Sequence, residues 1–507
     1  MASRQATGTP RIVLGIPIDS LSMEEAIERI FQLVDDHAAD GRPRLVCTVN
    51  TDFIVNTLRW SLWRSRHPEL LEVLRGSDLV TADGMPVVWA SRLLGPAIRE
   101  RVTGADLVPR LAREAAVRGK SMYFLGGNPG SAERAARVLT ERNPGLKTAG
   151  WDSPFVHTEG PGLIHAHEDD REIVERINAS RPDILLIAFG NPKQEIWFNL
   201  NRHRLQVPVS IGVGGTFEFI AGSIRRAPGW MREHGLEWLF RFTQDPSRLW
   251  KRYLVDLAKF GLLVWPSILL HQCAKKASAG GEGTGPGGNG PVPFETRACG
   301  KALVVVLPGI VDTDAADWLV PLLPALPDTH LVLDAGGTTC VDSAGLAFLT
   351  GVLARWEERG FQVLVARMSG ALRGQVIANR LGDLFAGRLC ATMEEARARL
   401  DAGVARRDLC VEHREAGTAC TIRISGDLKQ AHALYPEAAS LASQVHHPSC
   451  TVDLSGCTSV DTSGICFLLQ LHDALVRGGA RVTVAGTTGD ARQMMRVARV
   501  DTLLMKP

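Results

Sequence analysis

Between residues 20 and 213 the apolar positions follow two alternating patterns. Short apolar runs, Arg44 to Val49, Asp78 to Val80, Ser121 to Leu125, Asp183 to Phe189 and Val207 to Val213, read as buried strands. Between them Ser22–Asp36, Ser131–Arg142 and Asp170–Ala179 set apolar residues three to four apart, the spacing of an amphipathic helix. Ser22 and Glu25 make a capping-box pattern at the first of these helices. Strands alternating with helices of this length predict an α/β fold, a Rossmann-like parallel sheet covered on both faces. Ligands of such sheets bind beyond the carboxyl ends of the strands, so candidate chemistry belongs just after each run.

A different regularity governs the C-terminal part. Residues 330–366 and 449–485 align without a gap, 119 residues apart, with 12 of 37 positions identical. Each copy runs from an apolar strand into a turn, Cys340-Val341-Asp342-Ser343-Ala344-Gly345-Leu346 or Ser459-Val460-Asp461-Thr462-Ser463-Gly464-Ile465, and then into an apolar helix. Such a repeat predicts two small α/β modules of one fold. Residues 277–291 hold seven glycines in fifteen positions, too little apolar surface to order a chain, and predict a flexible tether ahead of the modules. The expected organisation is a domain over 11–272, a linker over 274–296, and modules over 297–404 and 408–507.

Composition narrows the picture. A chain of 507 residues is too long for one core. A net charge of +2 does not favour bulk nucleic-acid binding. The ten cysteines include no CxxC pair and match no zinc spacing, which points to buried, reduced thiols. Residues 1–10 lack the apolar core of a signal peptide, so the expected location is the cytoplasm. The apolar run at residues 260–270 falls short of the roughly 20 residues of a transmembrane helix, and Pro266 is expected to interrupt it. A buried terminal helix and an interfacial segment both fit that run.

Small polar residues and glycines gather where the predicted strands end. They are Thr48-Val49-Asn50-Thr51-Asp52-Phe53, Thr81-Ala82-Asp83-Gly84-Met85-Pro86, Gly126-Gly127-Asn128-Pro129-Gly130-Ser131, Gly190-Asn191-Pro192-Lys193-Gln194-Glu195 and Gly212-Val213-Gly214-Gly215-Thr216-Phe217-Glu218. A glycine turn opening a helix lets backbone N–H groups approach a phosphate. By composition alone Asp83-Gly84 is a common turn pair, Asp106 suits a helix cap, and Lys193 with Glu195 suits a surface ion pair.

In order along the chain, TVNTDF, TADGMPVVW, RVTGADL, FLGGNPGSAE, GNPKQEIW, GVGGTFEFIAGSIRRAP and GLEWLFRFTQDPSRLWKRY resemble the WecG/TagA/CpsF family of bacterial glycosyltransferases over residues 11–265. The resemblance implies transfer of a sugar, of the N-acetylmannosamine type, its uronic acid or glucose, from a UDP donor. The implied acceptor is a polyprenyl-diphosphate-linked sugar at the cytoplasmic membrane face, in cell-surface or exported polysaccharide assembly. Inversion at the anomeric carbon, with no metal or other cofactor required, is also implied. A single displacement needs a carboxylate to take the acceptor proton and positive charge near the departing diphosphate. The resemblance puts the base at Asp83, with Asp52 and Asp106 as competing carboxylates. It places Thr48 and Asn50 in the pocket beside the base, Thr48 in the catalytic group and Asn50 in substrate binding. Gln194 of the PKQE stretch joins the catalytic group as a partner for the donor sugar or base. The glycine turn Gly126, Gly127 and Asn128, which resembles a nucleotide-binding turn, is expected to bind substrate.

Residues 223–253 interleave Arg225, Arg226, Arg232, Arg241, Arg248, Lys251 and Arg252 with Trp230, Trp238, Phe240, Phe242, Trp250 and Tyr253. Aromatic residues favour a bilayer interface and basic ones attract anionic headgroups. Asp245-Pro246 starts a helix with a cap and an N1 proline. The resemblance implies that Arg241, Arg248 and a third cation, Lys251 or Arg252, face the diphosphate while this stretch docks on the membrane. The repeated turn-and-helix unit is similar to the STAS domain of anti-sigma factor antagonists. That similarity implies phosphorylation at Ser343 and Thr462, with a kinase or anti-sigma-like protein as partner. Ala344 departs from the motif in the first copy. The rival expectation, from another class, is a decayed transferase serving as a signalling adaptor through its STAS modules.

Overall fold

The computed structural model describes residues 9–59, 65–223, 246–280, 296–299, 302–402, 409–416 and 419–504, with scattered positions between 227 and 243. A hairpin of β1 (Arg11–Val13) and β2 (Ile16–Ile18) precedes α1 (Met23–Asp40). Then come β3 (Arg44–Val49), α2 (Thr51–Thr57), α3 (Pro68–Gly76), β4 (Leu79–Ala82), α4 (Met85–Leu94) and α5 (Gly104–Arg118). The domain continues with β5 (Ser121–Gly126), α6 (Ser131–Arg142), β6 (Lys147–Asp152), α7 (Ala166–Ser180), β7 (Ile184–Ala188), α8 (Lys193–Asn201), β8 (Val209–Gly212) and α9 (Thr216–Ile220). The capping box at Ser22 and Glu25 forms as expected.

Six strands make one sheet in the order β4-β3-β8-β7-β5-β6, and every pairing is parallel. Because side chains alternate along a strand, each central strand feeds two cores. Leu45, Cys47, Val49, Leu185 and Ile187 belong to one apolar cluster, and Val46, Ile184, Leu186, Val209 and Ile211 to the other. This is why the strands read as continuous apolar runs. The Rossmann-like parallel sheet expected from the sequence is present.

Pro266 does not interrupt the helix it sits in, which runs from Pro246 to Gly280. Phe260, Leu263 and Val264 are buried in the apolar cluster that also holds residues of α2 and α4, and the Ser267 hydroxyl donates to the carbonyl of Ala378 at 2.8 Å. Tertiary packing of this face outweighs the loss of one backbone hydrogen bond at the proline. By length and composition Val255–Lys276 is long and apolar enough to cross a membrane. Its buried face rests on protein, whereas Val255, Leu257, Leu262, Trp265 and Leu269 are exposed.

The two repeats are small α/β modules. In the first, strand His330–Asp334 sits between parallel neighbours Ala302–Val306 and Val363–Ala366, and helix Ser343–Glu358 follows the turn. In the second, Ser449–Val460 sits between Ala419–Leu428 and Arg481–Ala485, followed by helix Thr462–Arg477. Asp342 accepts from the N–H groups of Ala344 and Gly345 at 2.8 Å each, and Asp461 accepts from Gly464 at 2.9 Å. The glycine three residues after each aspartate has a steric cause. A Cβ on Gly345 would lie 1.8 Å from the carbonyl oxygen of Val311, and one on Gly464 would lie 2.2 Å from that of Leu428.

The modules rest on the N-terminal domain, a contact that the predicted tether does not itself specify. Residues 281–295 of that tether lie outside the described residues. Arg75 of α3 donates to Asp383 at 2.6 Å and to the carbonyl of Arg380 at 2.6 Å, joining the transferase-like sheet domain to the first module. Leu163, Ala166, Ile196 and Leu200 of the N-terminal domain are buried in the same apolar cluster as the core of the second module. Shared burial of this kind joins folded units far more firmly than a tether does.

Candidate active site

Parallel pairing puts the carboxyl ends of β3, β4, β5, β7 and β8 on one edge of the sheet, and most of the residues singled out from the sequence follow those ends. Thr48, at the end of β3, is 3% exposed and donates to the carbonyl of Gly212 on β8 at 3.1 Å. Its hydroxyl ties two central strands. Asn50 caps α2 by accepting from the Phe53 N–H at 3.2 Å. Asp83 follows β4, its N–H bonded to the Val49 carbonyl at 2.8 Å, and its side chain is half-buried. The next residue, Gly84, lies beside Asn50, since a Cβ there would be 3.7 Å from that of Asn50. Asn50 and Asp83 are therefore brought together.

After β5 the chain turns through Gly126 and Gly127, with φ of 95° and 75°. Only glycine enters this region without steric cost. A Cβ on Gly126 would also meet the Phe189 ring at 2.8 Å. The Gly127 N–H bonds the Ala188 carbonyl at 3.0 Å, and the Asn128 N–H bonds the Glu218 carboxylate at 2.9 Å. The turn opens α6 at Gly130, where no side chain caps the helix.

Gln194 is 1% exposed. Its carbonyl oxygen accepts from the N–H groups of Gly190 at 3.2 Å and Gly214 at 3.1 Å, and its amide donates to Glu195 at 2.7 Å. It braces the loops after β7 and β8 from beneath. Glu195 is wholly buried and makes no surface pair with Lys193, which corrects the surface ion pair expected from composition. Burial without a cation raises its pKa to about 8, so it holds a proton at neutral pH. Gly212 is the only size that fits above this pair, because a Cβ would lie 2.6 Å from the Gln194 amide nitrogen. Sequence reasoning gave Glu195 only a surface role and Glu218 none. The adjoining PKQE and GGTFEF stretches marked the place, but charge alone did not say which carboxyls are buried.

Of the competing carboxylates, Asp106 is the third residue of α5, where its N–H and carboxylate both bond the Thr103 hydroxyl, at 3.1 and 2.9 Å. It belongs to the helix start. Asp52 lies in the first turn of α2. Arg241 lies outside the described residues, and the side chains of Arg248 and Arg252 do too, although their backbone falls in the helix Pro246–Gly280. Ser343 and Thr462, the first residues of their helices, are each 2% exposed. Both are covered by the N-terminal domain. A Cβ on Gly95 would lie 2.9 Å from the Ser343 hydroxyl, and the Thr462 N–H bonds Glu69 at 2.9 Å.

Comparison with known proteins matches this architecture. The WecG/TagA/CpsF glycosyl transferase family matches residues 11–274, and the family described as Mlab, STAS domain matches residues 294–386 and 411–505. An N-acetylglucosaminyldiphosphoundecaprenol N-acetyl-beta-D-mannosaminyltransferase of Bacillus spizizenii is 31% identical over 189 residues, 37% of this chain and 69% of the relative. The protein of the same name from Bacillus subtilis is 30% identical over 196 residues, 39% of this chain and 72% of that one. One from Staphylococcus aureus is 28% identical over 253 residues, 50% of this chain and 90% of that one. Among solved structures, murine Solute Carrier 26 family member A9 shares 11% identity over 41% of this chain and 36% of its own, with a TM-score of 0.19, a likeness too slight to carry an argument. The full ordered set of strand-end motifs on a parallel sheet, followed by the paired modules, makes this chain a member of the WecG/TagA/CpsF glycosyl transferase family that carries two STAS domains.

Proposed function

We propose that the chain transfers an N-acetylmannosamine-type sugar, with inversion, from a UDP donor to a polyprenyl-diphosphate-linked sugar at the inner face of the plasma membrane. The observation that carries this reading is the gathering of Asn50, Asp83 and the Gly126–Asn128 turn along one sheet edge, above a buried brace of Thr48, Gln194 and Glu195. In the reaction the acceptor hydroxyl oxygen bonds to the anomeric carbon as the bond from that carbon to the UDP oxygen breaks. UDP leaves with the electron pair, and Asp83 takes the hydroxyl proton. The glycine turn and the open start of α6 suit the diphosphate, and Asn50 suits a donor hydroxyl. Arg241, Arg248 and Arg252 are assigned to charge developing on the leaving group. The half-seated helix Pro246–Gly280, with Leu262, Trp265 and Leu269 outward, supports docking on the membrane surface. In this role the STAS modules serve control or partner binding in polysaccharide assembly.

The test is a panel of UDP-sugars offered with a lipid-diphosphate-linked N-acetylglucosamine acceptor. Transfer from UDP-N-acetylmannosamine above all other donors is expected. Turnover with the uronic acid or glucose donor instead would reassign the sugar, and no transfer from any donor would favour the adaptor role.

A further inference from the structure

Glu69 lies in the first turn of α3 and is 3% exposed, yet its carboxyl joins three elements. One oxygen accepts from the Asn199 amide of α8 at 2.9 Å. The other accepts from the Thr462 N–H at 2.9 Å and from the Thr462 hydroxyl. Thr462 begins the helix of the second STAS module, so this carboxyl occupies the electropositive start of that helix. The contact does not stand alone. Ile196 and Leu200, on the same α8 as Asn199, are buried in the apolar cluster of the second module. Lys429 of the module pairs with Glu72 at 2.8 Å on the rim, and the Gln493 amide donates to the Ser65 carbonyl at 2.6 Å. The other end of α8 carries Gln194, whose amide holds the loops after β7 and β8.

We propose that the second STAS module is a positioning element of the transferase. Through the Glu69–Thr462 contact and the shared apolar cluster it holds α8, and with α8 the Gln194 brace beneath the glycine loops. The module's helix end, the surface its family resemblance assigns to an outside partner, is in this chain occupied by its own catalytic domain. Glu69 and Thr462 are positioning residues, since neither lies at the sheet edge. The effect on transfer rests on the function proposed above, but the docking does not.

The test uses the full chain. Thr462→Val keeps the shape and removes the hydroxyl donor, Glu69→Ala removes the acceptor for all three donors, and Thr462→Ser restores the hydroxyl. Hydrogen exchange without substrate should quicken about tenfold over residues 193–201 in Thr462→Val and more in Glu69→Ala, the order expected for a lost buried partner. It should return to the wild-type rate in Thr462→Ser, with residues 330–366 unchanged throughout. In transfer assays the same two variants should raise the donor KM about tenfold and move kcat less, with Thr462→Ser again normal. Wild-type exchange over 193–201 in the near-isosteric Thr462→Val protein would overturn the proposal. Faster exchange with an unchanged donor KM would overturn it equally. A wild-type chain that transfers no sugar would instead overturn the proposed function, and the exchange arm alone would then decide the docking.

Discussion

Two acidic side chains, one at the end of β4 and one buried beneath the end of β8, face opposite demands. As the proposed base, Asp83 would have to be ionised to accept a proton, so Asp83→Asn is expected to leave folding and donor binding intact while lowering turnover about 10²–10⁴-fold. Steady-state kinetics beside a donor-binding titration checks this, and near-normal turnover would move the role to Asp52. Glu195 is held protonated by burial, with a pKa of about 8 against an ordinary 4.5. The folded chain keeps a proton that the unfolded chain releases. Stability from this group is therefore complete below about pH 4.5 and is lost as pH rises through 8. Glu195→Gln should flatten the fall of Tm between those values, as read by calorimetry. Glu69, raised by burial and by Asp461, contributes a fall of the same sign, so the flattening is partial.

At the scale of single elements, the helix Pro246–Gly280 divides its apolar residues between protein and solvent. Leu262, Trp265 and Leu269 recur at three-to-four spacing on the outward face. Replacing Trp265 and Leu269 by Glu is expected to lower binding to anionic vesicles by at least tenfold, measured by cosedimentation, with Tm within a degree or two because neither side chain is buried. Unchanged binding would leave the basic aromatic stretch before it as the anchor. A second element-scale feature is the row of His167 and His203 from the N-terminal domain with His432 of the second module. His203 and His432 stack with centroids 3.5 Å apart, and His167 lies parallel to His203 at 6.4 Å. Burial lowers the pKa of all three; Arg204 lowers all three as well, and His432 lowers those of His167 and His203. Glu168, Asp461 and the lid of Tyr435 stand close by, the two carboxylates acting in the opposite sense. The neutral row is the docked form, so each imidazole's contribution is complete above about pH 6.5 and is lost as pH falls, for His203 through about 4. His432→Phe should keep the stack and blunt the acid loss, with hydrogen exchange in helix Thr462–Arg477 as the readout.

For the whole molecule, the consequence is that cutting at the glycine tether exposes a core. Residues 1–275 alone would show Ile196, Leu200 and Leu163 to water and leave Glu69 and Asn199 without their third partner. At about 25 cal/mol per Å² of apolar surface, several newly exposed aliphatic side chains cost a few kcal/mol. The fragment is expected to melt several degrees below the full chain and to self-associate, as seen by calorimetry and light scattering. A monomeric fragment with the full-chain Tm would show that the modules are passengers.

The chain order of apolar runs was enough to read the parallel sheet, because strands buried on both faces show as unbroken runs and their helices keep a 3.6 period. The positions of Thr48, Asn50, Asp83 and Gly126–Asn128 at strand ends were legible for the same reason. The repeat was legible because the glycine after each turn has no room for a Cβ. What the sequence could not carry was which polar groups are buried. Glu195 reads as surface charge until α8 turns it under Gly212, and Glu69 reads as an ordinary first-turn acid until Thr462 covers it. Pro266 reads as a break until packing against α2 and α4 holds the helix through it. A glycine-rich tether says how far modules can wander and nothing of where they rest, since docking depends on surfaces assembled from residues hundreds of positions apart. Periodicity is local, so the sequence by itself determined the elements and their ends. Burial is a property of the assembled surfaces, so only the tertiary structure decided the protonated brace and the seat of the second module.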